Sequence, residues 1–168
     1  MALLEKHLYV RKSLLSGAGR GLFTKVLIPK GTRIVEYKGE IRTWKEVEKM
    51  PDERNGYVFY FNLRYVIDAW RTKKSVAHFA NDAQGLTRVK GINNNADYAT
   101  HGKRCFIESV RDIPAKSEIF VDYGREYWQA VRYNIREELR MSKKLGKNGA
   151  EPSVGHHLVP KRVAHTID

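Results

Sequence analysis

The stretch Glu118-Ile119-Phe120-Val121-Asp122-Tyr123-Gly124 puts a phenol at the end of an apolar run. A buried tyrosine stays neutral, with a pKa near ~10, and can orient a reacting group by hydrogen bonding. It can equally be a packed strand-end residue, and this stretch alone favours packing. A second feature is Ser16-Gly17-Ala18-Gly19-Arg20-Gly21-Leu22-Phe23, with glycines at alternate positions. Such a loop lets backbone groups approach a ligand or take up positive φ. No Gly-Lys-Ser/Thr follows and the dinucleotide spacing is absent, so a plain hairpin is the simpler reading. Cys105 is the one cysteine, which excludes an intrachain disulfide and a cysteine-rich zinc site. Beside Phe106 and Ile107 it reads as a buried, inert thiol. The six histidines show no ligand spacing with carboxylates, so no metal is expected.

The elements that must position these residues are mostly short strands. Leu8 to Ser13 is a first strand, and Ile28 to Glu40 is a turn, a strand and another turn. Thr43-Trp44-Lys45-Glu46 has the capping-box pattern, predicting a short helix from Trp44 to Lys49 that stops at Pro51. Tyr57 to Leu63 and Tyr65 to Asp68 read as two strands around a tight turn near Arg64. Val76 to Ala83 is a single helical turn, Asp82 to Asn95 a loop, and Cys105 to Val110 a strand. Ile113-Pro114 before the last strand echoes Ile28-Pro29 before an earlier one, too briefly to define a repeat. From Arg125 to Leu145 the period becomes helical. Trp128, Val131, Ile135 and Leu139 form an apolar stripe expected to dock on the domain, and Arg132, Arg136, Arg140 and Lys144 form a basic one.

The length of 168 residues and 42% hydrophobic content suit one mainly β domain with a C-terminal helix. No apolar run approaches the ~20 residues needed to span a bilayer, and Glu5, Lys6 and His7 interrupt the N-terminus. A soluble intracellular protein with no membrane contact is expected. The net charge of +12 is spread along the chain, with 22 Lys/Arg against 14 Asp/Glu in residues 1–124 and 9 against 5 beyond. It serves solubility or an affinity for acidic surfaces such as nucleic acid.

Four stretches, in order, resemble the SET-domain protein lysine methyltransferases. Gly19-Arg20-Gly21-Leu22-Phe23 is similar to the family's Gly-x-Gly loop, and Glu36-Tyr37-Lys38-Gly39-Glu40 to its Glu-Tyr-x-Gly-Glu. Ala77-His78-Phe79-Ala80-Asn81-Asp82-Ala83 resembles Arg-Phe-x-Asn-His-Ser, and Glu118 to Gly124 resembles Glu-Leu-x-Phe-Asp-Tyr-Gly. Tyr57 and Ile67-Asp68-Ala69 fall where the family has a Tyr strand and an Ile-Asp-Ala turn. The resemblance implies small curved β-sheets, with the third motif threaded as a pseudoknot beside the fourth. It implies a catalytic domain over 1–128, a helix over 129–145 packed on it, and a flexible basic tail over 146–168. His78 and Asp82 depart from the family's Arg and His, and Lys116-Ser117 replace its Gly-Glu. The zinc segments of many eukaryotic members are missing, as in compact bacterial and viral forms.

The activity implied is transfer of a methyl from S-adenosylmethionine to the ε-nitrogen of a protein lysine. Tyr123 and Tyr37 are the implied catalytic residues, and with Val121 they line the lysine channel. Gly19, Arg20, Gly21, Tyr57, His78, Phe79, Asn81 and Asp82 are the implied cofactor contacts. Trp128 either covers the adenine or is only the first core residue of the helix. Val121 has no hydroxyl, where the family's Phe or Tyr influences methyl count, so dimethyl or trimethyl lysine is expected to be accessible. The implied substrate is a histone-like or other basic protein, its peptide adding as a strand near Asn62 to Trp70. A weak nucleic-acid contact through the basic surface is a further partner expectation. The location would be cytoplasmic in a bacterium and nuclear or chromatin-associated in a eukaryote. The alternative is a catalytically silent SET-like module that binds peptide or nucleic acid.

Overall fold

The computed structural model describes residues 3–47, 49, 57–60, 64–72 and 75–144. Three small antiparallel sheets carry the fold. The first contains β1 (Leu8–Lys12), β2 (Arg20–Thr24) and β9 (Glu118–Ile119), in the order β1-β2-β9. β1 and β2 pair from Leu8↔Thr24 to Lys12↔Arg20, so the glycine-rich stretch is the hairpin between them. The second sheet contains β3 (Arg33–Glu36), β7 (Ala96–His101) and β8 (Arg104–Ser109), with β8 in the centre. The third contains β4 (Glu40–Thr43), β5 (Val58–Tyr60) and β6 (Tyr65–Asp68), with β6 in the centre.

One core joins the sheets, because strands of all three turn β-branched and aromatic residues to the same interior. Leu22, Ile34, Val35, Phe59, Ile67, Ile107, Ile119 and Val121 meet there, fully or almost fully buried. The Ile28 and Ile113 echo is physical: the two residues exchange N–H···O bonds of 2.9 and 2.8 Å. Each proline turn thus holds the other. Lys116, where the family's glycine would stand, takes φ of 65°, which explains that preference.

Two strands differ from the sequence reading. Glu40–Thr43 starts on the last residue of the expected turn and runs to the expected helix N-cap, and Ala96–His101, joined to β8 by the two-residue turn Gly102-Lys103, is not Val/Ile-rich. Both are strands because a partner pairs along their whole length, β6 for one and β8 for the other. The central place of β6 also removes the expected free edge at Tyr65 to Asp68. β4 bonds it on one side and β5 on the other. Residues 61–63 lie outside the described residues.

The helix α1 spans Trp44–Val47. Its cap forms through Glu46, whose carboxylate accepts from the Thr43 N–H and hydroxyl, each at 2.7 Å. The long helix α2 spans Arg125–Lys144. Tyr127 and Trp128 in its first turn pack against the core, and Val131 and Ile135 are half-buried. Leu139 is 45% exposed, so the apolar stripe is held at its start and released towards its end. The tail over 146–168 lies outside the described residues. Among the described residues no helix is long and apolar enough to cross a membrane.

Candidate active site

The third and fourth motifs lie side by side. Asn81 bridges Phe120 in parallel, and the Val121 N–H donates to the Asn81 carbonyl at 2.9 Å. On the other side, the Ala96 N–H donates to the Phe120 carbonyl at 2.9 Å, and Ala96 bridges Val121 in parallel. Phe120 and Val121 are therefore flanked by the two ends of one loop, the arrangement expected of a threaded segment. Asn95 reinforces it through both side-chain atoms, accepting from the Phe120 N–H and donating to the Glu118 carbonyl.

Tyr123 sits at the end of this segment, 6% exposed. Its hydroxyl donates to the Ala80 carbonyl at 2.7 Å, which fixes the phenol and turns the oxygen lone pairs elsewhere. Burial holds its pKa well above the ordinary phenol value, with Tyr127 and Tyr37 adding to the effect. Tyr37, also buried and shifted upward chiefly by burial, donates to the Tyr57 carbonyl at 3.2 Å. Its preceding residue is pinned as well: Arg104 grips Glu36 through two 2.7 Å bonds and holds that carboxyl below its usual range. Phe59 and Tyr98 complete an aromatic wall. Tyr37 and Phe59 lie 5.3 Å apart, and Phe59 and Tyr98 4.6 Å.

The departure at Asp82 has a partner. Its buried carboxylate accepts from the Tyr123 N–H at 2.9 Å and the Trp128 indole N–H at 2.7 Å through one oxygen. The other oxygen accepts from the Gln84 N–H and the Asn94 amide. Trp128 in turn stacks on Tyr123 at 5.9 Å and 10°, with its far edge over Gly85. A Cβ at Gly85 would stand 2.5 Å from the indole, so only glycine admits the ring. Asp82 thus ties the third motif, Tyr123 and the first turn of α2 together. Trp128 is the packed first residue of the apolar stripe, and it remains partly exposed.

The glycine loop is tied in by a residue that sequence reasoning passed over. Glu118 is 2% exposed, and its carboxylate accepts from the Ser13 hydroxyl and the Leu14 N–H, each at 2.7 Å. The Asn81 amide donates to the same carboxylate at 3.2 Å and to the Arg20 carbonyl at 3.0 Å. A Cβ on Gly21 would stand 2.0 Å from Glu118 Oε1. Gly21 therefore makes room for Glu118. Gly19 has φ of 70° and open space where a Cβ would point. Arg20 lays its guanidinium 4.5 Å from the Phe79 ring centre, with His78 and Tyr57 next in line at 4.1 and 5.2 Å between successive rings.

A family model described as SET domain matches residues 19–124. The chain belongs to the SET-domain family. It is 31% identical over 167 residues to the Arabidopsis thaliana histone-lysine N-methyltransferase CLF, covering 96% of this chain and 17% of that protein. It is 29% identical over 150 residues to the Zea mays histone-lysine N-methyltransferase EZ3, covering 86% of this chain and 15% of that protein. The rice protein of the name CLF is 28% identical over 154 residues, covering 88% and 16%. The SET-domain chain thus spans about a sixth of the length of the curated relatives it matches.

Within this SET domain, Gly19 to Gly21, Asn81, Asp82, Tyr123 and Trp128 form one hydrogen-bonded and stacked cluster with Glu118. Tyr57, His78 and Phe79 form a second row beside Arg20. Val121 is fully buried between Asn81 and Ala96. Cys105 is buried and its thiol is pushed far up by burial, as its neighbours imply. Tyr98 was not marked by the sequence, and Glu118 stood only as the first residue of the fourth motif, with no role assigned. Tyr98 lies on a strand revealed by its partner, and Glu118 reads as one more strand residue until its contacts with Ser13 and Leu14 are seen.

Proposed function

We propose that this SET domain transfers methyl groups from S-adenosylmethionine to the ε-amine of a protein lysine. The observation that carries the reading is Tyr123, a buried neutral phenol fixed by the Ala80 carbonyl where the third and fourth motifs meet. S-adenosylmethionine would bring an electrophilic methyl on a sulfonium. The residues present fit it: the loop is open at Gly19, and Arg20 offers a guanidinium to a carboxylate. The rings of Tyr57, His78 and Phe79, with the exposed part of Trp128, suit a flat heterocycle.

The target lysine must arrive neutral, although at pH 7 only about a few in ten thousand are. The walls of Tyr37, Phe59 and Tyr98 disfavour the ammonium by desolvation. The Tyr123 oxygen, its own proton committed to Ala80, can accept from the amine and aim its lone pair. Collinear placement of this kind can supply several kcal/mol of the barrier. With its pKa raised, Tyr123 is a positioning group that stays protonated, so the amine's proton leaves to water.

The substrate we propose is a histone or another basic DNA-associated or ribosomal protein, acting in the nucleus if the source is a eukaryote. The Asp82 departure would favour a silent module if it broke the site, but Trp128 and Tyr123 supply its donors. Calorimetric titration with S-adenosylmethionine, then labelled methyl transfer to histones and to whole-extract protein, tests the reading. Saturable binding with label on lysine is expected. Binding without transfer to either substrate set would favour the silent module.

A further inference from the structure

Among the described residues, Tyr127 and Trp128 are the α2 side chains that pack against the core. The rest of the helix carries its charge unevenly. Arg125, Arg132, Arg136, Arg140 and Lys143 are exposed. At 100° per residue they fall within about 80° of one another around the axis. At 1.5 Å per residue they extend over about 27 Å. Glu126, Glu137 and Glu138 fall outside that arc. The helix dipole accounts for Arg140 and Lys143 near the C-terminal end, but not for Arg132 and Arg136 in the middle. Arginines four positions apart repel, so Arg132, Arg136 and Arg140 act against the helix that carries them. Arg140 pairs with Glu137 at 2.9 Å. Among the described residues no carboxylate pairs with Arg125, Arg132, Arg136 or Lys143. A face that repels itself and lacks an internal counter-charge is suited to an external anion.

We propose that this face of α2 binds duplex DNA by lying against its phosphates. The inference goes beyond methyl transfer and does not depend on it. A duplex carries one negative charge per ~1.7 Å of its axis, so a 27 Å row of cations meets an unbroken row of anions. Gln129 within the arc and Tyr133 at its edge, both exposed, add neutral phosphate donors. The Arg140 pair is exposed, so its exchange for a phosphate costs little. A helix about 10–12 Å across enters the ~12 Å major groove of B-DNA, whereas the groove of an RNA duplex is too narrow. An anionic membrane is the competing partner. A helix lying in a membrane needs its apolar stripe in the lipid and cations along its polar flanks. Here the stripe of Val131, Ile135 and Leu139 has the basic face on one side and Glu138 on the other. Docking on DNA also bears on the proposed substrate. A chain of net charge +12 repels a free basic protein, and a duplex that holds both offsets the repulsion.

The test is fluorescence anisotropy of a labelled, mixed-sequence DNA duplex of about 20 base pairs with the full chain, from 50 to 200 mM NaCl and without S-adenosylmethionine. The logarithm of the wild-type binding constant should fall against the logarithm of salt with a slope of about −4. Arg132→Gln/Arg136→Gln/Arg140→Gln keeps good helix formers. It should reduce the slope by about 3 and weaken binding by about 10²-fold or more at 0.1 M salt. Lys12→Gln/Lys30→Gln/Lys103→Gln removes the same charge from exposed positions elsewhere and should weaken binding less than about fivefold. The single variant Arg136→Gln, central in the face, should reduce the slope by about 1. It carries the test if the triple arginine variant loses its helical circular dichroism. Absence of salt-dependent duplex binding by the wild type, equal losses in the two triple variants, or an unchanged slope in Arg136→Gln overturns the proposal. So does tighter binding of an RNA duplex of the same sequence, or binding of phosphatidylserine vesicles in preference to the DNA.

Discussion

Gly21→Ala separates two explanations of the glycine loop. If Gly21 is there to let a ligand approach, alanine should weaken ligand binding and leave the free protein's stability alone. The structure assigns the space to Glu118 instead. An added Cβ meets Glu118 Oε1 at 2.0 Å, Cδ at 2.7 Å and the Asn81 amide nitrogen at 3.3 Å. The carboxylate cannot step aside cheaply, because Ser13, Leu14 and Asn81 all donate to it in a buried position. Overpacking costs about 1–3 kcal/mol, and a lost hydrogen bond to a charged group about 1.5–3 kcal/mol. We expect Gly21→Ala to destabilise by roughly 3 kcal/mol, lowering Tm by about 6–12 °C in a chain of this size. Glu118→Ala alone should cost about 2–4 kcal/mol by stranding the same donors. In Gly21→Ala/Glu118→Ala the clash is gone, so the pair should couple by about 2 kcal/mol in a urea-denaturation cycle. Additivity within ~0.5 kcal/mol, or an unchanged apoprotein with only ligand affinity reduced, would refute the reasoning.

Other outcomes follow from the same geometry. Trp128→Phe removes the indole N–H from Asp82 and should cost about 1.5–3 kcal/mol by urea denaturation; a cost under ~0.5 kcal/mol would deny that Asp82 latches the first turn of α2. Lys116→Gly should stabilise by about 1 kcal/mol, since it removes a side chain from φ of 65°, again read by urea denaturation. The buried phenols of Tyr37, Tyr98 and Tyr123 have raised pKa values in the folded state. Their contribution is intact below the unfolded value near ~10 and lost as pH rises above it, at up to roughly 4 kcal/mol per pH unit for the three together. Urea midpoints from pH 8 to 11 should stay level and then fall steeply. Because those phenols stay protonated, the methyl-transfer rate should climb with pH to about 9.5 as the lysine loses its proton, with no earlier downturn.

The order of the motifs was legible, because each is a local pattern of turn and strand residues. The pairing of those patterns was less so. Ile119 to Val121 announces a strand through its β-branched and aromatic run, whereas Ala96 to His101 becomes one only through β8. With β7 unread, Tyr98 could not be seen as a neighbour of Tyr123. Asp82 looked like a defect because the donor that suits it, Trp128, is 46 positions away. The Ile28 and Ile113 echo was visible, but its meaning is a mutual hydrogen bond between turns. The free edge expected near Asn62 to Trp70 fails over Tyr65 to Asp68 for the same reason. A strand's place in its sheet depends on distant partners, which local propensity does not encode.

The central claim is that Tyr123 positions a lysine for methyl transfer. The most direct measurement is single-turnover transfer from labelled S-adenosylmethionine to a methyl-accepting protein, comparing wild type with Tyr123→Phe. The variant keeps the ring stacked on Trp128 and removes only the hydroxyl anchored on Ala80. Loss of one positioning hydrogen bond should slow transfer by about 10²-fold or more, while cofactor affinity by calorimetry changes less than about threefold. Full transfer activity in Tyr123→Phe would contradict the account.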